Sequence, residues 1–238
     1  MPRKPPRRTR ERIAATALAL FNAGGEPHVT TADIADEMNI SPGNLYYHFR
    51  NKDDIIGELY AAFAESVAPL LAGPSARAAD VEDLWLFLHV LFERMWDYRF
   101  LFRDLDEIVS RNPQLAQRFA ELARRERSAV IELCDGLRAA GALDASDAEI
   151  AAVATNAVMI ATYWMSFQRL ARGAPGADAA GMQFERAVAQ VLALVAPYLR
   201  GAHQALVENL GARYLDGDGA RADPPTAESR RKNNVNRP

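Results

Sequence analysis

An all-α fold is expected from three features of the sequence. Apolar residues recur at helical spacing along most of the chain, no stretch shows the alternating, β-branched pattern of a strand, and clusters of Gly and Pro separate the helical stretches. The expected architecture is an N-terminal three-helix, helix-turn-helix head over 1–60 and a larger helical bundle over 61–215. A Gly, Asp, Pro, Arg and Asn-rich tail over 216–238 has almost nothing to bury and is expected to be disordered. With 49% hydrophobic and 25% charged residues, the bulk of the chain has the composition of a folded globular protein.

The elements follow in order. Arg3, Lys4, Arg7, Arg8, Arg10 and Arg12 crowd the start against the single acid Glu11, although the whole chain carries a net charge of only -3. Such an arm either attracts a phosphate backbone or serves as a solubilising tail. Ile13, Ala17, Leu18, Leu20 and Phe21 give a first helix, stopped by the Asn22-Ala-Gly-Gly-Glu-Pro run. Further helices are expected over Asp53 to Leu71, Val81 to Asp97, Phe100 to Ser110, Pro113 to Ala140, Asp147 to Leu170 and Phe184 to Tyr214. Between Ile150 and Phe167 there is no charge, which raises a membrane span. The alanines together with Thr155, Asn156, Thr162 and Ser166 fit a helix buried in a protein bundle better, and no membrane partner is expected.

Residues 30–52 are the most informative stretch. Thr30 caps a helix with Asp33 reaching back as a capping box, and Ile34, Ala35 and Met38 give that helix one apolar face. After a turn at Asn39-Ile40, Ser41 caps the next helix and Pro42 takes its first position, where a missing amide donor is harmless. Leu45 and Phe49 bury one face, which leaves Pro42, Gly43, Asn44, Tyr46, Tyr47 and His48 around the end and open sides. Small residues at the helix start permit close approach to a major groove, Asn44 suits a base edge, and the tyrosine hydroxyls or His48 suit phosphates. Lys52 opens the following helix, where its charge favours a phosphate and Asp53 and Asp54 oppose it. Other roles are open: core packing for Tyr46, capping for His48, helix packing for Gly43.

The Leu45-Tyr-Tyr-His-Phe-Arg-Asn-Lys52 run resembles the DNA-binding head of the tetracycline-repressor (TetR) family of bacterial regulators, and the resemblance is close over 9–60. Position by position, it implies that Thr31, Tyr46, Tyr47, His48 and Lys52 hold phosphates while Pro42, Gly43 and Asn44 face bases. Ala32 departs from members that place a long base-reading side chain there. The resemblance also implies a homodimer on double-stranded DNA, paired through the last two long helices. Asn156, Met159, Tyr163 and Phe167 on one helix, and Phe184, Val188, Val191, Val195 and Tyr198 on the other, are stripes suited to that pairing or to an internal core. A small-molecule effector is implied, and a hinge motion of the 52–71 helix would carry its signal to the head.

Trp85, Phe87, His89, Phe92, Trp96, Tyr98, Phe100 and Phe102 form a dense aromatic run. It reads either as core or as the wall of an apolar cavity with His89 or Asn156 orienting a ligand, and the candidate ligand residues are Trp85, His89, Phe92, Trp96, Asn156, Met159 and Tyr163. No phosphate-binding glycine loop, no Cys or His pair at metal spacing and no Ser with a suited His partner are present, so no enzyme, metal or cofactor is expected. A lone cysteine, Cys134, and the lack of an apolar leader point to a reducing cytoplasm. The expected function is a ligand-responsive, sequence-specific transcriptional regulator, most simply a repressor. The rival is a helical protein-interaction module or co-regulator without DNA recognition.

Overall fold

The computed structural model describes residues 6–72, 79–172 and 183–215. Arg3, Lys4 and the 216–238 tail lie outside the described residues, as do the side chains of Arg7 and Phe184. Among the described residues there are eleven α-helices and no strand. They are α1 (Pro6–Gly24), α2 (Thr31–Glu37), α3 (Pro42–His48), α4 (Lys52–Val67), α5 (Val81–Asp97), α6 (Phe100–Arg103), α7 (Leu105–Arg111), α8 (Pro113–Ala139), α9 (Asp147–Arg172), α10 (Gln183–Val195) and α11 (Ala202–Leu215).

The first helix, expected from Ile13 to Phe21, runs further at both ends, Pro6–Gly24, and three other elements differ from the sequence expectation, each for a local reason. The fourth helix ends at Val67 rather than Leu71, because Pro69 has no amide with which to continue the ladder. The expected 100–110 helix breaks at Asp104, whose backbone leaves the helical region (φ -110, ψ 22) while its carboxylate accepts from the buried Glu26 amide at 2.9 Å. The last long helix is two, because Pro197 sits in a 3-10 turn over Ala196–Tyr198 and Gly201 follows in the left-handed region at φ 56.

The chain divides into two compact units. The first joins the chain up to Pro69 with Arg94–Arg125 and the end of α9 from Met165. Its core is built by Ile13, Ala17 and Phe21 of α1, Ile34 and Ala35 of α2, Leu45 of α3 and Ile55, Ile56, Leu59 and Phe63 of α4. Aromatic contacts extend that core: Phe21 meets Phe100 at 5.1 Å and Phe63 meets Phe102 at 5.3 Å, ring centre to ring centre. The aromatic run 85–102 is therefore not one cavity wall, since Phe100 and Phe102 fill this core. The second unit takes 70–93, 126–164 and α10 with α11. Leu84, Leu133, Leu137, Ile150, Val188, Val191, Leu192 and Val207 are buried in it.

Candidate nucleic-acid interface

The helix-turn-helix is fixed by its caps. Thr30 Oγ1 accepts from the Asp33 amide at 3.2 Å, and the Asp33 carboxylate accepts from the Thr30 amide at 2.7 Å, which closes the capping box. Those bonds from Thr30 hold the Asp33 carboxyl below the usual carboxylate range. Asn39 takes the turn at φ 54, a conformation Asn tolerates better than most residues. Ser41 Oγ accepts from the Asn44 amide at 3.2 Å, with Pro42 at the start of α3.

Leu45 and Phe49 are buried, which fixes the rotation of α3 and turns its other faces outward. Pro42, Gly43 and Asn44 are exposed. A side-chain carbon added at Gly43 would meet nothing within 4 Å, so internal packing does not require a glycine there. Tyr46 is 51% exposed and is not core; its hydroxyl lies 3.1 Å from Thr31 Oγ1, joining α3 to α2. Tyr47 is 79% exposed and stands edge-on to the half-buried His48 ring at 5.1 Å. Thr31, Pro42, Gly43, Asn44, Tyr46, Tyr47 and His48 thus share the open faces of α2 and α3.

Lys52 does not join them. Its ammonium donates to the Glu26 and Val29 carbonyls, each at 3.0 Å, and meets the Glu26 carboxylate at 2.8 Å. Two of the three ammonium donors go to backbone carbonyls and the charge pairs with Glu26, all inside the first unit, so the expected phosphate contact is corrected to an internal latch. Glu26 is fully buried and also receives Arg111 at 2.5 Å, whose guanidinium reaches Asp53 at 3.3 Å. Arg10, expected in the basic arm, is likewise turned inward. Its guanidinium lies 4.0 Å from the Phe49 ring centre, its Nε donates to Glu58 at 2.7 Å, and a further nitrogen donates to the His48 carbonyl. Its spacing to Ile13, Ala17 and Phe21 puts it on the buried line of α1, a signal present in the sequence. Arg8 and Arg12 remain exposed.

The candidate ligand residues separate. In the second unit Trp85 and Phe92 are buried, Trp85 stacks on His89 with centroids 5.4 Å apart, and His89 Nδ1 lies 2.8 Å from the Tyr214 hydroxyl. Burial lowers the His89 pKa, against the nearby Glu93 charge, and pushes the Tyr214 hydroxyl up to about 12. Trp96 belongs to the first unit, where the Arg99 guanidinium lies 4.8 Å from its ring centre. Asn156, Met159 and Tyr163 are corrected: they sit on the outer face of α9, with Met159 at 55% and Tyr163 at 47% exposure, and line no interior wall among the described residues. Phe167 and Leu170 continue that exposed stripe. Val188, Val191 and Val195 of α10 are buried in the second unit, so the internal-core reading holds for them.

Sequence reasoning passed over Glu126. It occupies an inward position of α8 between buried Leu122 and Ala129, is 3% exposed, and its Oε1 meets no donor among the described residues. Burial alone pushes its carboxyl up to about 8.

Comparison with known proteins agrees with this arrangement. Residues 13–59 match the sequence profile described as "Bacterial regulatory proteins, tetR family", and 62–207 match "Bacterial transcriptional repressor", TetR. The chain is 28% identical over 162 residues to the HTH-type transcriptional regulator TtgR of Pseudomonas putida, covering 60% of this chain and 74% of TtgR. It is 38% identical over 53 residues to the probable acrEF/envCD operon repressor of Escherichia coli (strain K12), covering 22% and 24% of the two chains. The crystal structure of a TetR-family transcriptional regulator from Marinobacter aquaeolei VT8 superposes with a TM-score of 0.78 at 34% identity, covering 87% of this chain and 98% of that one. The capped helix-turn-helix and the helical second domain therefore belong to a member of the TetR family of DNA-binding transcriptional regulators.

Proposed function

We propose that the chain acts as a homodimeric repressor on an inverted-repeat operator and is released by a small, largely apolar effector bound in its second unit. The observation that carries the reading is the outer surface of α3. Its only buried members are those that seat it, and Gly43 stands where packing asks for no glycine and where a groove edge would come closest. Asn44 reads a base edge beside it, while Thr31, Tyr46, Tyr47 and His48 take phosphates; Lys52 holds the scaffold rather than the DNA.

The exposed stripe Met159, Tyr163, Phe167 and Leu170 on α9 supports the dimer. Apolar side chains in a continuous line on a water-facing helix favour a copy of the same helix across a two-fold axis. Although α9 is long and apolar enough to cross a membrane, the same stripe accounts for its hydropathy without one. The group of buried Trp85, Phe92 and Tyr214 with half-buried His89 supports an aromatic-walled effector site, and an effector preferring the conformation with misplaced recognition helices weakens DNA binding by that preference.

Selection of random duplex DNA by the purified protein tests the proposal. Enrichment of an inverted repeat with half-sites centred about one helical turn or more apart supports it. No enrichment at low salt, in the absence of any ligand, counts against an effector-released repressor.

A further inference from the structure

Buried acids in this protein come with partners. Glu26 has Lys52 and Arg111 on its Oε1, although its Oε2 has no hydrogen-bond partner among the described residues, and Asp104 has Arg103 at 3.3 Å and the Glu26 amide. Glu126 differs. It lies on the inward line of α8 with Leu122, Ala129, Val130 and Leu133, all buried, and its Oε1 is sealed from water without a donor among the described residues. Of the neighbouring arginines, Arg124 pairs with Glu121 at 2.6 Å, Arg125 is exposed, and Arg127 donates to Thr155 at 3.1 Å. A leucine at this position would continue the apolar line, whereas a buried carboxyl whose Oε1 has no donor among the described residues weakens the fold. An acid that destabilises its own surroundings acquires a use when a ligand supplies the missing donor.

The surroundings indicate what that ligand is. The Arg127–Thr155 bond sets the α8 turn carrying Glu126 beside the α9 turn carrying Ala154 and Ala157, both buried and small. Once it gives up its proton to solvent, the carboxyl only accepts hydrogen bonds, and its attraction for a cation that takes the proton's place grows as water is excluded. We propose that Glu126 anchors the positive end of an organic cation, an amine or amidinium on an apolar body, so that the effector of this regulator is cationic. The assignment rests on the second unit being the effector-binding part. It narrows the effector from a merely apolar molecule to one carrying a protonated nitrogen.

A matched pair of probes, naphthylmethylamine and the neutral naphthylmethanol, titrated calorimetrically into the full chain, tests the assignment. The amine is expected to bind at least about tenfold tighter than the alcohol, and Glu126→Gln is expected to remove that preference while leaving the alcohol unchanged. Equal binding of the two probes to the wild type overturns the cation assignment and leaves an effector-binding second unit in place. No saturable binding of either overturns both. Thermal melting of Glu126→Leu separates a ligand anchor from a structural acid: a melting temperature at or above that of the wild type is expected, and a clear fall assigns Glu126 to the fold and overturns the proposal.

Discussion

The Lys52 ammonium and the Glu26 carboxylate lie 2.8 Å apart inside the first unit, and the same ammonium donates to two backbone carbonyls of the α1–α2 connection. The positive charge at the start of α4 therefore holds the scaffold behind the recognition helix. Removing one partner of a buried pair leaves the other desolvated, so Lys52→Met is expected to lower unfolding free energy by about 3 kcal/mol, read from urea denaturation. The salt dependence of operator binding by the folded variant should keep the wild-type slope; a slope smaller by about one phosphate contact would return Lys52 to the DNA surface.

Gly43 separates stability from recognition. Because an added methyl meets no protein atom, Gly43→Ala should stabilise α3 by up to about 1 kcal/mol through helix propensity. Its affinity for the selected operator should fall by about tenfold or more, since the methyl occupies the space of closest approach. Unchanged affinity in a gel-shift titration would remove Gly43 from the interface.

Tyr47, which is 79% exposed, has an expected outcome of a different kind. Tyr47→Ala should leave the melting temperature within about a degree and weaken binding to operator and to unrelated duplex alike, the pattern of a phosphate contact. A loss confined to one operator position would show base reading instead.

Placing a charge in the α9 stripe, as Phe167→Glu or Tyr163→Asp, should convert dimer to monomer in sedimentation equilibrium. Operator affinity should drop toward that of a single half-site. A monomeric wild type would overturn the assigned interface.

Glu126 supplies a pH test. Burial moves its carboxyl from 4.5 to about 8, so between those values the folded state holds a proton that the unfolded chain releases. Stability accordingly falls as pH rises through the window and levels off above it. Relative to Glu126→Gln, the wild type should lose at most about 1.4 kcal/mol per pH unit between about pH 5 and about pH 8, measured by chemical denaturation of both proteins. Parallel pH profiles would show a carboxyl already ionised in the folded state.

Much of the fold was legible because it is local. Thr30, Asp33, Ser41 and Pro42 specify the helix-turn-helix through contacts within three residues, and the spacing of Leu45 to Phe49 sets which face of α3 is open. The direction taken by a long side chain is not local. Lys52 and Arg10 carry charges that read equally well as phosphate contacts, and only carboxylates far along the chain, Glu26 and Glu58, turn them inward. Asn156, Met159 and Tyr163 show the same limit from the apolar side, since a wide stripe on α9 does not reveal whether it meets its own chain or water. Glu126 is legible in principle, as a lone acid in an apolar line, but aromatic density draws attention to other helices.

The bonds around Glu26 also say where this protein can be cut and recombined. A head grafted onto another body at the end of the helix-turn-helix would carry Glu26 without Arg111, and Tyr60 without the Arg118 carbonyl that accepts its hydroxyl at 2.7 Å. The transplantable piece is consequently discontinuous in sequence. A chimera that recognises this operator has to bring the 94–125 segment along with the N-terminal helices, and a shorter graft inherits the reading surface without the frame that aims it.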